Sequence, residues 1–466
     1  MISRALLAGV AVLVPSQAGA HAFAERYDLP LPLWHYLLGA GATIVLSFVV
    51  VALFLGRGER APPTVRLALP ARAARLAESA LNWLAICALA LLLAAGFGGE
   101  QGDWSSNLLP VTVWVIWWVG VTFVSALIGG VWPSIDPWLA VAKSFPARGP
   151  PLRWPERAGA WPASLLFLAF AWAELAWTEN AVPRKLAALI AAYSLLTWTG
   201  MALFGIAAWR ANADPFCRFF GLFARFAPLD VERGPTLVVR PFGAGLRQDA
   251  PPSAAIAAFV LLALATVSFD GIAETPLWED IVGGVTHLLY SAGIVQLIGY
   301  TAADSLTKTL GLVATPLLFA AVYVGTCALV GRIAGEPVGL TARRYVLSLV
   351  PIAVAYHLAH YLSYLLIQGQ AVWPLLSDPL NLGWDLFGTR GYEIDIGVVG
   401  MRFVWLFAVA AIVAGHVAAV ALAHHEALRA ASGRKLAVAS QGPMLVLMVA
   451  YTMLSLWVLS QPIVDV

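Results

Sequence analysis

Ten apolar stretches, each about 20 residues or longer, follow one another through this chain, and nothing constrains its fold more. They fall at 33–55, 80–98, 108–131, 159–178, 186–209, 253–272, 307–331, 344–367, 401–426 and 443–463. At about 1.5 Å per residue, each can cross a hydrocarbon layer roughly 30 Å thick as a helix. A segment surrounded by lipid must satisfy its own backbone hydrogen bonds. The expected fold is therefore all-α, a polytopic membrane helix bundle. Composition agrees: the 466 residues are 60% hydrophobic and 12% charged, whereas a soluble domain is roughly half apolar and a quarter charged. The lipid bilayer is thus the first expected partner.

The amino terminus has a separate meaning. Arg4 precedes "ALLAGVAVLV", an apolar run of about ten residues, too short to span. Pro15 breaks it, and Ala18-Gly19-Ala20 fits a small-x-small cleavage site. We read 1–20 as a secretory signal peptide and 21–466 as a single transmembrane domain. Cleavage after Ala20 makes His21 the first mature residue. Its α-amine and imidazole could chelate copper, provided a further external His such as His35 or His287 joined it.

Charge orients the bundle. With the mature amino terminus outside, twenty-one Lys and Arg fall in inside loops and six in outside loops, as the positive-inside rule requires. Both termini then lie outside, in a bacterial inner membrane. The stretch 281–303 is apolar but Gly-rich. A span there would move Arg429, Arg434 and Lys435 outside, so it reads as re-entrant or interfacial. The basic, aromatic loop 210–252 is expected along the inner leaflet. The outer loop 368–400 could cap a site.

Chemistry is expected from ionisable residues within the apolar stretches, where they are costly and face the bundle interior. "VPIAVAYHLAHYLSYLLI" places His357 and His360 three residues apart, and "AIVAGHVAAVALAHHEAL" adds His416 at similar depth on the next helix. Two His on one helix and a third from a neighbour suit zinc, copper or iron. Asp270, in "SFDGIAETPLW", could complete the set in a catalytic role, with Asp378 behind it. Tyr361, Trp384 and Asp378 could bind substrate. Hydrogen bonding among His, Tyr and Ser363 is the purely structural alternative. Haem b held by His357 and His416 is another. His424 and His425 read as interfacial, reaching toward the membrane surface. The three cysteines are scattered, without a CxxC pair, and no nucleotide, serine-hydrolase or HExxH signature occurs. Nucleic acid is not an expected partner.

Several of these stretches, "HAFAERYDLPLPLW", "SFDGIAETPLW", "VPIAVAYHLAHYLS", "SDPLNLGWDLFGT" and "VAGHVAAVALAHHEAL", make the chain resemble the bacterial membrane proteins called fenitrothion hydrolases. The likeness runs from the mature amino terminus to the ninth helix. It implies cleavage of a small, neutral, apolar aryl phosphotriester. A divalent metal held by His357, His360 and His416 would activate water for attack at phosphorus. A transporter or metal-handling permease is the alternative from a different class, and a haem-bearing electron-transfer subunit is the third.

Overall fold

The structure is a computed structural model that describes residues 29–55, 63–145, 149–232 and 236–461. The signal peptide and His21 lie outside these residues. Helices dominate. The principal ones are α1 (Leu33–Phe54), α2 (Ala71–Gly98), α3 (Leu108–Leu127), α4 (Trp161–Leu175), α5 (Pro183–Phe204), α6 (Pro215–Phe226), α7 (Ala254–Ala273), α8 (Pro276–Ser291), α9 (Tyr300–Ala334), α10 (Val350–Gln368), α11 (Met401–Ala430) and α12 (Gly442–Leu459). Among the described residues, nine helices are long and apolar enough to cross a membrane. They correspond to nine of the ten expected spans. The expected span 159–178 folds as the shorter α4. Pro162 opens it, and it ends before Ala176, whose N–H returns to the Trp172 carbonyl.

The starts are legible locally. Pro183, Pro215 and Pro276 occupy first-turn positions, where a missing N–H costs nothing. Asp214, Ser253 and Thr275 cap α6, α7 and α8 with side-chain oxygens. No single helix covers 281–303. α8 ends at Ser291, Gly293 precedes the short helix Ile294–Ile298, and Gly299, at φ 85°, separates that helix from α9. Both glycines have positive φ, which a helix cannot propagate through an L-residue with a side chain.

Loops that the charge rule places together do meet. A three-stranded antiparallel sheet, order β1-β3-β2, joins β1 (Val65–Ala68), β2 (Leu229–Glu232) and β3 (Thr236–Val239). Arg429 reaches the Asp249 carbonyl at 2.8 Å and Arg434 the Leu53 carbonyl at 2.6 Å. This end is the basic face. At the opposite, acidic face, Asn381 meets Glu100 at 3.2 Å, and Gln101 accepts from the Arg184 N–H at 3.2 Å.

Apolar side chains gain little from leaving lipid, so packing and small residues hold such a bundle together. Gly415 of α11 lies so close to α10 that a Cβ there would meet Ala355 and, at 2.6 Å, the Pro351 carbonyl. The span containing α10 is the most buried of the nine, and α3, α7 and α11 pack round it.

The apolar face of α6 packs within the bundle. Its Phe216, Phe219, Phe220 and Phe223 are buried, and they pack against Trp117, Trp118, Phe167 and His357. The aromatic face is too large to leave at a polar boundary when a groove between helices can take it.

Candidate metal centre

Asp270 lies in the last turn of α7, and Glu274 follows it by four residues. That spacing puts both carboxyl groups on one face. His360 comes from the middle of α10. His360 Nε2 and Asp270 Oδ2 are 2.9 Å apart, and the Tyr361 hydroxyl donates to the same oxygen. Asp270, His360 and Tyr361 are all buried. Among the described residues, one group of His, Cys, Asp or Glu side chains could hold a metal ion. It is Asp270, Glu274 and His360, whose ligand atoms all lie within 4.8 Å of one another. One imidazole and two carboxylates suit a borderline dication, and two negative charges match its two positive ones.

This is not the set that spacing suggested. His357 and His416 are buried, but neither belongs to the group. Residues three apart on a helix differ by about 60° in direction. Where three helices surround α10, that offset sends His360 toward α7 and His357 toward α3 and α6. The His357 ring sits among Trp118, Phe123, Phe219, Phe223 and Tyr361. His416 donates from Nδ1 to the Ile412 carbonyl of its own helix at 2.8 Å and faces Tyr451. The space beside His357 is a cavity of about 10 Å³. His416 does not line it.

The remaining candidates separate in the same way. Tyr361 joins the centre through Asp270. Asp378 organises its own loop instead, accepting from the Leu382 and Gly383 N–H groups at 2.8 Å each. Partial burial opposes its ionisation. These backbone donors outweigh that and hold its carboxyl below the usual range. Trp384 is exposed on the same loop. His35 is exposed and stacks on Trp34, and His287 is exposed on α8. His424 is not at a surface. It is fully buried, with Gln441 Nε2 3.1 Å from its Nδ1. The turn before α12 brings that amide against it.

Two acids escaped the sequence reading. Glu274 looked like an ordinary loop acid beyond the end of a span. Glu174, in "FAWAELAW", lies inside an apolar run, the same signal that identified the histidines. No family model matches this chain, and no curated protein or solved structure is significantly similar to it.

Proposed function

We propose that this is a bacterial inner-membrane protein with both mature termini outside, which binds a divalent transition metal at Asp270, Glu274 and His360. We propose further that it hydrolyses small neutral aryl phosphotriesters there. The observation that carries the metal reading is the group of one imidazole and two carboxylates within 4.8 Å, with Asp270 and His360 buried and Glu274 partly so. Acids and histidines buried among membrane helices are functional by default. A bound dication would supply Lewis-acid activation of water and of a phosphoryl oxygen. The chain's own contribution is positional. Tyr361 donates to one oxygen of Asp270 and so orients the carboxyl group. Hydrolysis rests on the resemblance in the sequence. The distribution of basic residues supports the orientation.

One observation favours a second reading, a metal-handling permease. The chain between α8 and α9 is broken at Gly293 and Gly299, and interrupted helices recur in transporters. The test takes the purified full chain in lipid nanodiscs. Zinc content is measured for wild type, His360→Ala and His416→Ala, with loss expected only in His360→Ala. Release of the nitrophenol from fenitrothion then marks hydrolysis. Zinc uptake into vesicles without product marks a permease. Zinc retention in His360→Ala overturns the metal reading.

A further inference from the structure

The polar wall of the cavity beside His357 is rich in hydrogen-bond acceptors. Glu174 of α4, Thr266 of α7, and His357 and Tyr361 of α10 form that wall. The Tyr361 hydroxyl donates to Asp270 Oδ2, and the Thr266 hydroxyl donates to the Ala263 carbonyl at 3.2 Å. Both oxygens therefore have only lone pairs left to offer, and a carboxylate only accepts. A neutral imidazole has one lone pair as well, and His357 Nε2 is buried without a hydrogen-bond partner on a residue 2% exposed. Trp118 of α3 and Phe219 and Phe223 of α6 add aromatic rings. Glu174 is half-buried, and no Lys or Arg pairs with it among the described residues. A carboxylate without a cation inside a helix bundle is costly and marks a functional position. The cavity volume is about 10 Å³, near the roughly 10–15 Å³ that one water-sized occupant needs.

We propose that this cavity binds one ammonium ion, held by Glu174 and His357 and separate from the metal group. Size, charge and hydrogen bonding select this occupant. The volume admits a single particle about as large as water. One carboxylate lines the cavity, so one positive charge balances it, and a dication would leave an excess. The wall asks for donors. Ammonium has four N–H groups and no lone pair, whereas water has only two donors. An alkali cation is held by oxygen on every side, but this wall includes an imidazole nitrogen and the rings of Trp118, Phe219 and Phe223. Aromatic rings attract ammonium-type cations through their quadrupoles. The inference goes beyond the metal reading and does not rest on it. The two sites share Tyr361, whose hydroxyl keeps its bond to Asp270 Oδ2.

Thermal unfolding of the full chain in nanodiscs reads the site, because a ligand of the native state raises the melting temperature. Ammonium, potassium and tetramethylammonium chlorides are compared at equal ionic strength. The wild type is expected to respond saturably to ammonium alone, since tetramethylammonium is too large for the cavity. Glu174→Gln removes the charge, and His357→Phe removes the lone pair while keeping a ring. Each is expected to raise the ammonium concentration for half-response about tenfold or more. His416→Ala, outside the lining, is expected to respond as the wild type does. An equal response to potassium or tetramethylammonium overturns the proposal, and so does a wild-type response in Glu174→Gln. The salt comparison needs the wild type alone, so it decides the matter even where a variant fails to fold. Zinc content is measured on the same wild-type sample. An ammonium response without zinc removes the metal reading alone, and zinc without an ammonium response removes the ammonium site alone.

Discussion

Asp270→Asn is the sharpest probe of the metal group. The substitution preserves size and one carbonyl oxygen but removes a unit of negative charge from a buried site. With Asp270 and Glu274 ionised, a dication leaves the group close to neutral. With asparagine, one positive charge remains uncompensated. Two unit charges 4 Å apart attract by about 4 kcal/mol at an effective dielectric of ~20. A dication doubles this, and the smaller desolvation of the less charged site offsets roughly half. The net loss is about 3–4 kcal/mol, or roughly 10²–10³-fold in Kd, since 1.4 kcal/mol is tenfold. His416→Ala is the matched control, because His416 lies outside the group. It is expected to shift zinc affinity by less than about threefold. Chelator-competition titration on nanodisc samples reads both, with thermal unfolding as a check on folding. Equal zinc affinity for Asp270→Asn and wild type refutes the reasoning. An equal loss in His416→Ala refutes it too, because the ligands would then be those the sequence spacing suggested.

Zinc affinity is expected to fall as pH falls, because a cation must displace the proton shared by His360 and Asp270; titration across pH 5–8 reads it, and a flat profile counts against that geometry. Asp214, buried outside the spans, has its carboxyl pushed up to about 7 by burial and then by the Asp136 carboxylate. The unfolded chain releases this proton near pH 4 while the fold holds it to about 7, so stability declines through that window by at most about 4 kcal/mol. Asp214→Asn keeps the cap of α6 and is expected to flatten that decline in melting temperature. Gly415→Ala is expected to cost about 1–3 kcal/mol by overpacking α11 on α10, while Gly400→Ala, which meets no atom within 4 Å, leaves the melting temperature unchanged. On a background without Cys87, Cys217 and Cys327, an impermeant thiol reagent on spheroplasts is expected to label a cysteine at Asp385 and spare one at Lys143; the reverse pattern inverts the orientation.

The spans were legible because lipid imposes one rule on every residue of a segment, and an average over twenty residues is robust to local detail. The pairing of loops was legible for a related reason. Arg429 and Arg434 carry the positive-inside signal, and they are the residues that tie the basic face together through backbone carbonyls. What the aromatic face of α6 packs against was not legible, because an amphipathic helix buries its apolar face equally well in lipid or between helices. Only the tertiary arrangement decides. The three-stranded sheet was missed because its strands are four residues long and come from distant loops.

The site divides along the same line. Asp270, His360 and Tyr361 were all visible as polar residues in apolar runs, because burial cost acts on one residue at a time. Which of them share a ligand-sized space depends on differences of about 60° in side-chain direction, and on which neighbouring helix each direction meets. Spacing therefore grouped His357 with His360, while the bundle gave His360 to the carboxylates of α7 and His357 to an aromatic cavity beside Glu174. The two sites remain joined through Tyr361, which lines the cavity and donates to Asp270. Hydrolysis and cation transport would share this ligand group, so discriminating between them depends on whether a substrate is cleaved or only ions move.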